Sequence, residues 1–128
     1  MGRVVHFEIH ADDPERASLF YSATFGWSIT KWEGTWDYWL VSTGDDVPGI
    51  DGGIVPRRGE RPSDDNACSA FVCTIAVDSL DASIAAVELN GGKIVVPKME
   101  VPGIGWLAYA HDTEANVFGM MESTDGRS

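Results

Sequence analysis

The feature that most constrains this chain is that it repeats itself. Val4-Val5-His6-Phe7-Glu8-Ile9-His10 alternates apolar with polar residues, the period-two pattern of a strand. Val5, Phe7 and Ile9 share one face, and His6, Glu8 and His10 share the other. Asp13-Pro14-Glu15 then reads as a helix start, an Asp able to cap free N–H groups and a Pro at the first helical position. Ala17, Phe20, Tyr21, Thr24 and Phe25 follow at helical spacing and predict a core-facing stripe, and Gly26 predicts the stop. Three strand-like stretches come next, Trp27 to Trp32, Trp36 to Ser42 and Ile50 to Val55. The second half has the same order. Ala70 to Val77 reads as a strand, and Asp78-Ser79 caps a helix carrying Leu80, Ile84, Val87 and Leu89. Gly91-Gly92 ends that helix. Strand-like stretches follow at Lys93 to Val96, Trp106 to Ala110 and Val117 to Met121.

Five landmarks recur 66 residues apart: Val5 and Phe71, Asp12 and Asp78, Gly26 and Gly92, Asp46 and Asp112, Gly53 and Gly119. The expected organisation is therefore a βαβββ module at residues 4–56, a linker at 57–67 and a second βαβββ module at 68–122. Residues 123–128 form a tail expected to fray. Each module is too small to bury a sufficient core alone, so the two are expected to make one structural domain of the α+β class.

The chain has 128 residues and a formal net charge of −11, from 9 Lys+Arg against 20 Asp+Glu. That balance argues against nucleic acid, which is held by neutralising phosphates, and against anionic membrane surfaces. It suits a neutral or cationic ligand. No apolar run approaches the ~18 residues that a membrane helix needs. The N-terminus does not read as a signal peptide. Cys68 and Cys73 lie five apart with no CxxC, which points to small core residues, a reducing compartment and a cytoplasmic location.

Several runs carry a family resemblance. Val5-His6-Phe7 leads to Asp13-Pro14-Glu15-Arg16-Ala17, Phe20-Tyr21 and Phe25-Gly26-Trp27. Val101-Pro102-Gly103-Ile104-Gly105-Trp106 leads to His111-Asp112 and Asn116-Val117-Phe118-Gly119. These resemble the vicinal oxygen chelate superfamily, which holds glyoxalase I, bleomycin-resistance proteins and extradiol dioxygenases. Within it they resemble the predicted enzymes related to lactoylglutathione lyase. The resemblance implies an open eight-stranded cup built from two βαβββ modules, helices outside, and a homodimer. It also implies, in metal-dependent members, four ligands, one from the first and one from the last strand of each module. Carried over position by position, those ligands fall on His6, Val72, Gly53 and Gly119. Valine has no lone pair to give and glycine no side chain, so one position of four keeps a donor. The usual metal centre is not expected, no cofactor is expected, and glyoxalase I activity, which polarises an enediolate on its metal, is not expected either.

The residues that remain define the candidate site. The resemblance turns His6, Glu8 and His10 inward. His6 and Glu8 are the candidates for acid–base chemistry, with a hydrogen bond or ion pair between them as the structural alternative and His10 in solvent at the rim. His6 is the one candidate ligand if a nonstandard metal site exists. Trp27, Trp36, Tyr38, Trp39 and Trp106 are candidates for an aromatic wall that binds a flat or cationic ligand, with core packing as their alternative. Arg57, Arg58 and Arg61 concentrate a third of the basic residues in the linker, as an anion clasp or a solvated run. Two functions stay open: a metal-free small-molecule binder similar to bleomycin-resistance proteins, or a lyase, isomerase or dioxygenase-type enzyme on a small oxygenated metabolite.

Overall fold

A computed structural model describes residues 2–60 and 70–124. Eight strands and two helices appear in the order β1 (Arg3–Ala11), α1 (Pro14–Phe25), β2 (Ser28–Lys31), β3 (Trp39–Ser42), β4 (Gly52–Pro56), β5 (Val72–Ala76), α2 (Leu80–Leu89), β6 (Lys93–Val101), β7 (Gly105–His111) and β8 (Val117–Ser123). The chain divides into two compact units, His6–Phe71 and a second made of Met1–Val5 with Val72–Ser128.

In the first unit the strand order is β2-β3-β4-β1. The β2-β3-β4 meander is antiparallel, and β4 runs parallel to β1. Asp13 caps α1, its carboxylate accepting from the Arg16 amide at 3.1 Å, and Pro14 holds the first helical position. Gly26 closes the helix with φ 76°, a left-handed conformation that costs glycine nothing. Phe7, Ile9, Ala11, Trp39, Val41 and Ile54 form the buried core, with Ala17, Tyr21, Trp27 and Ile29 packed against it.

In the second unit the order is β5-β8-β7-β6, again with one parallel pair, β5 and β8, and an antiparallel meander. Ser79 caps α2 and accepts from the Ala82 amide. Leu80, Ala108, Ala110 and Met120 form this unit's core. The sequence repeat reaches down to single backbone pairs. Glu8 pairs with Gly53 across β1 and β4, and Thr74 pairs with Gly119 across β5 and β8. Both partners shift by the same 66 residues.

Several local expectations are corrected. The stretch from Trp36 becomes strand only at Trp39, because residues 34–36 bend back before β3 begins. The run from Lys93 continues to Val101, carried past irregular register by pairing with β7. On α1, Ala17 and Tyr21 face the core as expected, but Phe20 is 58% exposed and Phe25 61% exposed, while Ser18 is buried. Ser18 tolerates this because its hydroxyl donates to the Pro14 carbonyl at 2.7 Å. Leu89 is exposed at the end of α2. Cys73 is exposed rather than part of a core. Cys68, Arg61 and most of the linker lie outside the described residues.

Candidate functional site

The polar centre of the first unit is built on β1. Strand alternation puts His6 and Glu8 on one face, while Phe7 and Ile9 enter the core on the other. Glu8 is only 5% exposed, so its carboxylate needs a donor. Tyr38, at the entrance to β3, supplies one by donating its hydroxyl to Glu8. The same hydroxyl lies 2.5 Å from His6 Nε2. With the tyrosine proton committed to Glu8, the hydroxyl oxygen accepts from His6, which fixes the Nε2–H form of the imidazole. The result is one chain of hydrogen bonds, His6 to Tyr38 to Glu8. The two rings lie nearly parallel, 6.3 Å between centroids.

The electrostatics follow from burial. Burial, then the Glu8 charge and the hydrogen bond to it, push the Tyr38 hydroxyl well above the usual tyrosine range. Burial holds the His6 imidazole below its ordinary 6.5, against the opposing pull of the Asp51 carboxylate. His10 is also held low, by burial first and then by Arg57 and Arg58. His10 is half-buried, and its Nε2 is buried with no hydrogen-bond partner among the described residues.

A pH dependence of stability follows. Both imidazoles bind a proton less readily in the folded chain than in the unfolded one. The unfolded state therefore takes up more protons as pH falls below about 6.5, and stability is lost as pH drops through the folded values. Urea unfolding at pH 7.5 and 5.5 should show a lower midpoint at pH 5.5, and His6→Gln should shrink the difference. Equal midpoints in the parent protein would contradict the burial of these groups.

Three of the four positions that the family resemblance assigns to metal ligands carry no donor side chain. Gly53 has no side chain, and a Cβ built on it would strike Cζ, Oη and Cε1 of the Tyr38 ring. Val72 offers no lone pair and Gly119 no side chain. Among the described residues, no group of three or more His, Cys, Asp or Glu side chains is placed to share an ion.

The structure separates the aromatic candidates. Trp39 is a core residue whose Nε1 donates to Glu15 at 3.0 Å, docking α1 onto β3. Trp27 packs against the same core, stacked on Tyr21 at 5.1 Å. Trp106 packs against the second unit's core with Lys98 Nζ 4.9 Å above its ring. Tyr38 sits in the polar chain. Trp36 lines an open cavity of about 340 Å³, together with Lys31, Trp32, Glu33, Gly34 and Asp37. Trp32 is fixed there. Its amide donates to the Tyr38 carbonyl at 2.7 Å, its ring meets Tyr38 edge-on, and it folds over Gly34, where any Cβ would collide with the indole.

The sequence pointed to His6 and Glu8 and to the tryptophan cluster of the first module, Trp32 included, but not to Tyr38 as the group that joins His6 and Glu8, nor to Glu33 and Asp37 as cavity residues. A signal was present. A glycine at a position that the family resemblance assigns to a ligand side chain leaves a space, and close packing requires a neighbour to fill it.

Comparison with known proteins shows the family of the chain. The family described as "Bleomycin resistance protein-like N-terminal" matches residues 3–44, which span β1 to β3. A glyoxylase-like domain-containing protein of Didymella fabae is 37% identical over 121 residues, covering 90% of this chain and 89% of that protein. The chain belongs to the vicinal oxygen chelate superfamily. Solved structures share the fold. A hypothetical protein of Bacillus halodurans C-125 superposes with TM-score 0.69 at 11% identity, over 99% of this chain and 98% of that one. The methylmalonyl-CoA epimerase of Streptomyces coelicolor, in complex with 2-nitronate-propionyl-CoA, superposes with TM-score 0.66 at 16% identity, over 98% and 97%.

Proposed function

We propose that the protein binds a small neutral or cationic organic molecule in the cavity beside β2 and β3, without the metal centre of its metal-dependent relatives. The observation that carries this reading is the lining of that cavity. Two indoles, Trp32 and Trp36, stand with two carboxylates, Glu33 and Asp37, around an opening next to Tyr38. Lys31 is the cation in the lining; it pairs with Asp37 at 3.7 Å and lies 5.2 Å from the Trp39 ring, which leaves Glu33 as the lining carboxylate with no ion pair to Lys31. Indole faces attract organic cations, each worth about 1 kcal/mol at an exposed site. The net charge of −11 favours the same sign of ligand. The match to bleomycin-resistance-like proteins supports a binder.

Phenyltrimethylammonium is the probe. Titration should quench tryptophan fluorescence, and the neutral isostere tert-butylbenzene should bind more weakly. Trp36→Ala should weaken the cation roughly fivefold, the equivalent of one cation–π contact. Equal binding of cation and isostere, or an unchanged Trp36→Ala, would contradict the assignment.

A second reading has its own observation. The His6–Tyr38–Glu8 chain links a depressed imidazole to a buried carboxylate through one hydroxyl, which is equipment for moving a proton. On that reading the protein is a lyase- or isomerase-type enzyme on a small oxygenated metabolite, with Glu8 and His6 as acid–base groups. Methylmalonyl-CoA is the first compound to try, because a fold neighbour binds it. Deuterium uptake from heavy water above the uncatalysed rate, lost in Glu8→Gln, supports this reading. Uptake unchanged in Glu8→Gln removes Glu8 from the chemistry.

A further inference from the structure

The register leaves Gly53 flanked on both sides, by Glu8 on β1 and by Leu40 on β3. Gly53 does not have a positive φ, so the backbone there does not require glycine. What requires it is space, because the Tyr38 ring lies where its Cβ would be. His6 and Glu8 stand two residues apart on one strand face, and both reach the Tyr38 hydroxyl. Side chains that converge on one oxygen can converge on one ion. We infer that Tyr38 is a metal-excluding plug: its ring fills the space of the last-strand ligand at Gly53, and its hydroxyl occupies the point where His6 and Glu8 would otherwise meet a divalent transition ion. The inference rests on the metal-free part of the proposed function and deepens it by naming the side chain responsible.

The plug has two parts, and they separate by mutation. Tyr38→Phe removes the hydroxyl and keeps the ring over Gly53. Tyr38→Ala removes both and leaves a nitrogen and a carboxylate facing an opened space. Adding Gly53→Glu to Tyr38→Ala supplies a third ligand from β4, directly beside Glu8 in the register. Three protein ligands with water in the fourth position satisfy a tetrahedral ion.

The test is titration of the purified, chelator-treated full chain with Co²⁺ alone. It is read by the visible absorption of the coordinated ion, with circular dichroism reporting the fold. The wild type and Tyr38→Phe should show no coordinated-ion bands. Tyr38→Ala should show them weakly, and Tyr38→Ala with Gly53→Glu should bind at least tenfold tighter. His6→Gln in that double variant should abolish the bands. Wild-type binding as tight as that of the double variant overturns the inference, and so does a folded double variant that binds nothing. If the double variant does not fold, Tyr38→Ala against wild type decides: a gain of binding supports the plug, and no gain in a folded protein overturns it. Failure of phenyltrimethylammonium to bind the wild type would sink the proposed ligand and leave every one of these outcomes unchanged.

Discussion

Tyr38→Phe should destabilise the protein by about 2–3 kcal/mol, although it deletes a single oxygen atom. The phenyl ring still fills the space over Gly53, so packing is kept. What is lost is polar. Glu8, 5% exposed, loses the hydroxyl that donates to it, and His6 Nε2 loses its acceptor. Removing one partner from a buried polar pair costs about 1–3 kcal/mol, and more where the stranded group is charged. Glu8→Gln keeps the volume and removes the charge, so the two substitutions together should cost less than the sum of each alone. Urea unfolding of the four proteins in this cycle gives the coupling directly. A coupling of at least about 1 kcal/mol is expected for groups in contact. Additive effects would show that the tyrosine and the glutamate act independently.

Ile54→Ala should be costlier, at about 3–4 kcal/mol. Ile54 is fully buried at the centre of the first unit's core. It pairs with Ile9 on one side and Trp39 on the other. Truncating a buried isoleucine costs about 2–5 kcal/mol, with the high end where the surroundings cannot close on the cavity. Closure is restricted here. Gly52 before it already lies against the Phe7 ring and carbonyl, where an added Cβ would approach to 2.5 Å. Gly53 is covered by Tyr38. A domain of this kind is held by about 5–15 kcal/mol in total, so the variant should unfold at much lower urea. A loss below about 1 kcal/mol would mean that the strand is not packed as described.

The repeat made most of the fold legible in advance. A strand, a capped helix and a three-strand meander follow from period, caps and stops that act over a few residues. The same local rules named Asp13, Pro14, Gly26 and Ser79 in their observed places. What failed depends on distant partners. Trp36 to Tyr38 alternates like a strand, yet β3 begins at Trp39, where pairing with Lys31 and Ile54 starts. Phe20 and Phe25 lie on the helical stripe by spacing, but Ala17 and Tyr21 take the contact with the core. The site was half legible for the same reason. Glu8 and His6 share a strand face by alternation alone. Their union through Tyr38 spans about thirty residues and depends on the strand register, which no local pattern states. Trp39 illustrates the converse. Its residue type suited a ligand wall, and its burial and its bond to Glu15 make it a core residue.

The most direct measurement is long-range proton–nitrogen correlation NMR of the His6 imidazole across pH 5 to 8. A ring whose Nε2–H is spent on the Tyr38 hydroxyl should stay neutral, in that one form, below the pH at which a free histidine takes its second proton. An imidazole that charges near pH 6.5 like one in water, or a nitrogen shift of the kind produced by a bound metal, would show that His6 has some other partner.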